Sequence, residues 1–596
     1  MPQGIDAPLL QIDGRELSDE QLNALVELQL DLGLNVTGRC VMTFTDVGQK
    51  LLRQGPFKVG ARVVVKLPVA DKASAATVEC ATLEVTGIEV RCGAGADAEQ
   101  LVVIADDLSH RFSRRTTFVA KQQIKYADLI RTIASTHGVR AAINLNGSVF
   151  EYLVVADTDL ALLQQIAART ACSWWMEGTT LHVTDQPPTP AVEVKLGDDG
   201  GLFSLQVRGR SFAPSSVRVR DWEPKNQKPF EQEAKTPDGV PTSTFAQRFE
   251  IGAVSSAFPG QPKQFGQLGV LSPDEAKGLS KALMQTGWDG QVVARGTAAV
   301  NPHLAPGSKV KVAGAGDLDG MYPLSSVSHV YRRATGLLTR FVAGERRPHG
   351  MVDSLAPAAG YLGGTLNRRE GLVVGLVTNN KDPEGAWRVQ ISCPTLDDQL
   401  TTTWARVAAV GAGNDKGIAY LPDINDEVLV GFEGGDLRRP IVLGSLYSGK
   451  NKPPVDVGSE PEPAAWRTKS RKGHLIELSD SASSPQQHIL LKLGDGNHLV
   501  KVAGNEIMIQ APQTSPITVQ AGQASVKLSS GNVEISGMNV TIKAETELKL
   551  QGLMIQAKAQ TAGTVEAGGP LELKGAMVNV NGSGPVVIKG AAVAIN

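Results

Sequence analysis

The sequence predicts a mainly β protein with some α+β structure. Two β-barrels flank a small α/β domain, a further compact β unit follows, and a C-terminal intertwined triple-stranded β-helix requires a homotrimer. Three observations lead there. Glycine is abundant, at 63 of 596 residues, while aromatics make up only 5%, which favours many turns and thin packing. Helix-periodic stretches fall within residues 126–170. From about Arg471 onward the chain becomes a row of short apolar-x-apolar segments.

Taken in order, residues 1–355 read as one mixed region, with barrels at about 8–115 and 205–350 and the α/β domain at about 116–200. The stretch Phe57–Leu67 (FKVGARVVVKL) and Leu83–Val90 alternate as strands. Tyr126–His137 places Leu129, Ile130 and Ile133 on one helical face. Asp157–Thr170 starts at an Asp157 or Thr158 cap and spaces Leu160, Leu163, Ile166 and Ala167 by three to four residues. An internal duplication is visible. Val59-Gly60-Ala61-Arg62-Val63-Val64-Val65 resembles Pro306-Gly307-Ser308-Lys309-Val310-Lys311-Val312. Leu83-x-Val85-x-x-Ile88 then matches Tyr322-x-Leu324-x-x-Val327. A trimer would carry six such barrels and meet a sixfold partner with a threefold body. A small-residue linker spans 356–369, a β unit 370–450, and a Pro- and charge-rich neck 451–470.

The segment 471–596 carries a beat. Apolar pairs fall at Leu491/Leu493, Val500/Val502, Ile507/Ile509, Ile517/Val519, Val526/Leu528, Val533/Ile535, Val540/Ile542 and Leu548/Leu550. They resume at Leu571/Leu573, Val578/Val580, Val586/Ile588 and Val593/Ile595. A single-chain left-handed β-helix wants a period of about six residues, and a calcium-binding β-roll wants aspartates, of which none follows Asp495. A triple-stranded helix fits, each unit crossing one face of a triangular prism. Its expected core includes Val526, Leu528, Val533, Ile535, Val540, Ile542, Leu548, Leu550, Leu571, Leu573, Val578 and Val580. One chain's strand buries too little alone, and three chains close the sheet edges.

The most specific stretch is WARVAAVGAGNDKGIAYLPDINDEVLVGFEGGDLRRPIVLGSLYSG, from Trp404. Its Trp404-x-Arg406-Val407, Asp426–Phe432, Gly435-Asp436 and Arg439-Pro440-x-Val442-Leu443-Gly444-Ser445 resemble the OB-fold domain of contractile-tail spikes, namely phage baseplate spikes and the VgrG family. Tyr152–Val183, Asp107–Phe112 and Val217–Glu223 (VRVRDWE) are similar to hub strands and hairpins of the same family. The resemblance implies the order hub, OB fold, neck and needle. The gap after the OB fold is too short for a lysozyme domain, no His-x-His iron apex occurs, and no C-terminal effector domain is expected. The end Val593, Ala594, Ile595, Asn596 resembles needles that dock a PAAR-type tip protein. Implied partners are the inner tube protein, baseplate proteins, that tip protein, effector cargo and a target membrane met mechanically. A free phage-tail-like injector is favoured over a phage tail or a type VI apparatus.

Chemistry is sparse. A net charge of −2 gives no support to a nucleic-acid partner, and Arg438/Arg439 is the only basic pair in the OB region. Gly444-x-x-x-x-Gly449-Lys450 mimics a P-loop, but Asn451 replaces the hydroxyl and Pro453-Pro454 forbid the helix. The five cysteines form no C-x-x-C, and the nine histidines show no ligand spacing. No cofactor, metal or catalytic residue is expected, and the protein reads as no enzyme. Alternatives are a spike with cryptic hydrolase activity in its hub and a nucleic-acid-binding OB protein. Acidic residues from Asp6 to Glu20 argue against a signal peptide. Synthesis and assembly in the cytoplasm are expected, then incorporation into an injection particle that is released outside the cell.

Overall fold

The computed structural model describes residues 7–69, 76–93, 99–147, 149–186, 190–197, 201–211, 213–235, 237, 244–251, 261–266, 268–345, 371–396, 401–455, 465–480 and 487–595. The expected linker and residues 456–464 of the expected neck lie outside them. The chain divides into two units, 1–452 and 453–596.

In the first unit a thirteen-stranded sheet is built from two six-strand sets and a two-residue edge strand. The first set is β1 (Leu9–Ile12), β2 (Leu25–Gly33), β3 (Arg39–Thr45), β4 (Arg62–Pro68), β5 (Thr77–Arg91) and β6 (Gln100–Asp107). The second is β7 (Ala191–Leu196), β8 (Gly201–Gly209), β9 (Val292–Ala299), β10 (Lys309–Ala313), β11 (Gly320–Arg332) and β12 (Gly336–Ala343). The order is β10-β7-β8-β9-β12-β11-β2-β3-β6-β5-β4-β1, and the β10–β11 pairing closes the second set into a ring. β7 therefore belongs to the second barrel and not to the α/β region 116–200 where the sequence placed it. Its Val192 and Val194 pair in parallel with Val310 and Val312, extending an apolar wall.

The two sets share their registers. Val63 lies opposite Leu83 as Val310 lies opposite Tyr322. Val85 pairs Ala105 as Leu324 pairs Ala343, with a bulge following at Gly87 and at Ser326. β2–β3 and β8–β9 also match, each with a bulge, between Leu25 and Glu27 and between Leu202 and Ser204. The turn glycines Gly60 and Gly307 both sit at positive φ, +88° and +83°. Each set has its own core. Leu28, Leu30, Phe44, Val63 and Leu83 fill the first, and Val292, Val310, Tyr322 and Phe341 the second.

Between the sets lie α1 (Tyr126–Thr136) and α2 (Asp159–Thr170). α1 buries Leu129, Ile130 and Ile133. α2 is capped by Thr158 Oγ1, which accepts from Ala161 N at 3.2 Å. Leu162 is buried with Leu163, Ile166 and Ala167, whereas Leu160 is only half-buried. Trp174 and Val183 of the hairpin Ser173–Glu177/Thr180–Thr184 pack into the same core. The Asp107–Phe112 stretch, read as a hub strand, instead turns into a 3-10 helix at Leu108–Arg114. Asp107 Oδ1 accepts from Ser109 N at 2.9 Å and so caps the turn, while Leu108 and Phe112 are buried.

An insertion between β8 and β9, within the expected second barrel, forms a layer of its own. Strands Val217–Glu223, Lys228–Ala234 and Lys263–Gly266 pack against α3 (Pro273–Trp288) through Val217, Val219, Leu279 and Leu283.

The OB region is a closed five-stranded barrel: β13 (Val373–Asn379), β14 (Arg388–Ser392), β15 (Ala405–Val407), β16 (Glu427–Phe432) and β17 (Pro440–Ser445). Val428 and Val430 point to its core. Tyr152 and Val154 join that core from the α/β domain, and Tyr152 Oη donates to Thr401 O at 2.6 Å.

In the second unit, β18 (Ala465–Lys469), β19 (Leu475–Ser479), β20 (His488–Lys492), β21 (Leu499–Ala503) and β22 (Glu506–Gln510) form an antiparallel meander. β23 (Ile517–Ala521), β24 (Ala524–Ser529) and β25 (Asn532–Ser536) form a second. This differs from the expectation that each unit crosses to another chain's prism face. The cause is local: Gly504-Asn505, Gly522-Gln523 and Ser530-Gly531 are two-residue hairpin loops that return the chain on itself. Ser530 and Gly531 both have positive φ, 41° and 85°, as a twist-matched hairpin requires. Residues 537–595 carry no strand within the chain.

Candidate functional site

The second unit presents an apolar face without a partner. Strand alternation and register align its paired residues into two ladders. One runs Ile476, Leu491, Val500, Ile509 and the other Leu478, Ile489, Val502, Ile507. In the second meander Leu528 lies opposite Val533, and Val526 opposite Ile535. All of these side chains are exposed. The other face of the first meander mixes Leu475, Leu490, Leu499 and Met508 with charged groups, Glu477 accepting from Arg467 and from His488 Nε2, the latter at 2.9 Å. Covering an aliphatic side chain contributes about 1.5–3 kcal/mol, so a face of this size is costly to leave in water. Val540, Ile542, Leu548, Leu550, Leu571, Leu573, Val578 and Val580 are exposed in the strandless segment, as are Val593, Ala594 and Ile595. Asn596 lies outside the described residues.

The first unit holds a buried ion-pair cluster that the sequence reading passed over. Arg438, noted there only as half of a basic pair, is buried in the loop before β17. Its Nη2 donates to Asp436 Oδ2 at 2.9 Å, to Glu275 Oε1 at 3.2 Å and to Gly269 O. Arg169 of α2 reaches the same Glu275 oxygen at 2.7 Å. Burial by itself would lower the Arg438 pKa, but Asp436 and Glu275 more than offset it and raise it. Burial likewise opposes the Glu275 charge, and Arg438 and Arg169 hold its pKa below the usual carboxylate value. Next door, Arg439 donates to Asp221 Oδ1 at 2.8 Å and to Trp222 O at 2.7 Å. Asp221 also accepts from Val270 N at 3.1 Å. The OB barrel is thus clamped to α2, α3 and the strand Val217–Glu223. Two stretches quoted from the sequence, VRVRDWE and GGDLRRP, meet here across some 200 residues of chain. Gly269 allows the approach: a Cβ there would stand 2.5 Å from Asp436 Oδ2.

Catalytic arrangements find little footing among the described residues. A cavity of about 400 Å³ on the second barrel is lined by Ser204, Ser326, Ser328, Arg295 and Arg340 among others, with no histidine or carboxylate to activate a hydroxyl. Among the described residues no group of three or more His, Cys, Asp or Glu is placed to hold a metal ion. The P-loop mimic after β17 leads into no helix over residues 446–455. Among the described residues no helix is long and apolar enough to cross a membrane.

Comparison with known proteins places these features. Residues 373–447 match the family described as the Type VI secretion system/phage-baseplate injector OB domain. The spike protein VgrG2a of Pseudomonas aeruginosa is 37% identical over 76 residues, 13% of this chain and 9% of that protein. VgrG5 of the same organism is 36% identical over 94 residues, 15% and 12% of the two chains. The matched stretch therefore spans about a tenth of the length of these curated relatives. In fold, the chain is similar to a Francisella PdpA-VgrG complex over 85% of its length and 79% of that chain, with a TM-score of 0.52 and 9% identity. A lidless form of that complex is covered in full, again with a TM-score of 0.52. Residues 373–447 thus form an OB barrel of the kind found in type VI and phage-baseplate injectors, and most of the chain shares the fold of the VgrG complex. These likenesses support a VgrG-type spike protein, by sequence in the OB barrel and by fold over most of the chain.

Proposed function

We propose that three copies of this chain form the central spike of a contractile injection apparatus. The observation that carries this reading is the exposed pair of apolar ladders, joined in one chain to an injector-type OB barrel. Three such faces turned inward bury one another and leave the charged groups of the opposite faces, Glu477 and Lys501 among them, on the outside. The strandless segment 537–595, with its continuing apolar beat, gains strand partners from the other two chains and becomes the needle. Its function is mechanical, transmitting axial force into a target membrane without chemistry. The hub faces the sixfold inner tube, for which three chains offer six barrels. Val593, Ala594, Ile595 and Asn596 carry a PAAR-type tip protein. Baseplate proteins and cargo complete the particle, which is assembled in the cytoplasm before use.

Sedimentation equilibrium of the full chain tests this, with three times the 63.0 kDa chain mass expected. A monomer whose C-terminal segment is protected from protease would overturn it.

A further inference from the structure

The neighbouring strands β8, β9, β12 and β11 turn alternate residues to the second core, where Ala294, Ala298, Val327 and Phe341 lie. The residues between them face outward and line the cavity of about 400 Å³. Their registers set two rows across the four strands. Ser204, Thr297, Arg340 and Ser328 form one, and Gln206, Arg295, Val342 and Ser326 the other. A bulge falls on β8 just before Ser204 and another on β11 just before Ser326. Both flanking strands therefore bend at the cavity, and each bulge re-aims a serine there. The lining is rich in donors and holds no carboxylate. Among the described residues the side chains of Arg340, Ser204, Thr297, Ser326 and Ser328 make no hydrogen bond or ion pair. Arg295 reaches Glu345 at 4.0 Å, the outer limit of an ion pair. Arg208, the next outward residue of β8, has a buried Nε without a hydrogen-bond partner. Burial, Arg210 and Arg295 together hold its pKa below the usual value, against the pull of Glu345. The other bordering carboxylate, Asp31 opposite Ser328, already accepts from Gln29 Nε2 at 2.9 Å.

We propose that this cavity binds a phosphate-bearing small molecule, its oxygens taken by Arg295 and Arg340 and by the hydroxyls of Ser204, Thr297, Ser326 and Ser328. The donor set asks for a ligand that accepts hydrogen bonds and carries negative charge. Two guanidinium forks and four hydroxyls offer about eight donors, against about four lone-pair sites on a single carboxylate. Arg295 and Arg340 are diagonal neighbours on adjacent strands, so they grip a tetrahedral group from two sides. The volume falls at the small-molecule end of ligand pockets, about 300–1,000 Å³. With neither histidine nor carboxylate in the lining, the site binds its ligand without turning it over. It lies within each chain and holds whether or not three chains associate.

Calorimetric titration of the full chain with inorganic pyrophosphate, at constant ionic strength in a phosphate-free buffer, tests this. One site per chain is expected. Arg340→Gln and Arg295→Gln should each weaken binding about tenfold or more. Arg340→Lys keeps the charge without the fork and should fall between those variants and the native chain. Arg332→Gln, on β11 but paired with Glu27 away from the cavity, should bind as the native chain does. Should Arg340→Gln fail to fold, Ser328→Ala, which removes one lining hydroxyl, is expected to weaken binding several-fold. Titration with inorganic phosphate and with glycerol 3-phosphate separates a free anion from a phosphate monoester as the source, and either one binding supports the site. Absence of pyrophosphate binding overturns the proposal, as does equal loss in Arg332→Gln and Arg340→Gln. Malonate binding as tightly as pyrophosphate would make the cavity a general acid groove and overturn the phosphate assignment. None of these outcomes bears on the spike reading, which the sedimentation experiment decides.

Discussion

Arg438 shows how a buried charge is held in this fold. Two carboxylates and a backbone carbonyl surround it, so removing the guanidinium strips Asp436 of its buried partner and leaves Glu275 with Arg169 alone. Arg438→Ala is expected to destabilise the first unit by about 3–5 kcal/mol, read as a lower urea midpoint for the OB barrel. Arg438→Lys keeps the charge but loses the fork and should fall between that variant and the native chain. His329 gives a pH dependence. Burial lowers its pKa from 6.5 to about 4, and Nε2 has no partner among the described residues. The unfolded chain therefore binds a proton between those values while the folded chain does not. Stability is intact above pH 6.5 and declines as pH falls towards 4, by at most about 3 kcal/mol from this group. His329→Gln should remove that part of the loss, seen as a smaller difference between urea midpoints at pH 7 and pH 4.5. Asp107 acts with the opposite sign. Burial raises its pKa to about 6, so its contribution fades as pH rises from the usual carboxylate range through 6.

Among the elements, the helices separate what sequence shows from what it hides. α1 and α2 were legible because apolar residues recur every three or four positions, in α2 behind the Thr158 cap. α3 was missed although Ser272-Pro273-Asp274-Glu275 opens it. That stretch is a capping serine, a first-turn proline and a glutamate three residues on, and Ser272 Oγ accepts from Glu275 N at 3.2 Å. In the second unit the apolar beat was legible and the direction of the chain was not. The spacing of pairs says which face is apolar, and only the loop residues say whether the next strand belongs to the same chain. Gly522-Gln523 and Ser530-Gly531 carried that signal. The buried clamp was legible only as two unrelated motifs, since nothing local says that Asp221 will meet Arg439. Val526→Asp or Ile535→Asp places a carboxylate in the middle of the apolar face. Either is expected to shift the full chain from trimer towards monomer in sedimentation, while Lys527→Asp, on the opposite face, should not.

On the scale of the whole molecule, the two units divide the work of holding shape. Among the described residues the first has five apolar cores already buried within the chain, whereas the second has two thin sheets with one face bare. A chain ending at Lys452 is therefore expected to unfold cooperatively near the native temperature of the first unit. It should lose most of its tendency to form trimers, as mass and thermal melting would show. The sheet common to both barrels also preserves a record of substitution. Its registers set Met42 opposite Val103 in one copy and Gly296 opposite Phe341 in the other. Phe341 occupies the space a side chain at Gly296 would need, since a Cβ there would stand 2.2 Å from its ring. Volume absent from one strand is filled from its neighbour, with the register kept. Each chain thus contains its own two-row alignment, in which compensating changes can be read without a second sequence.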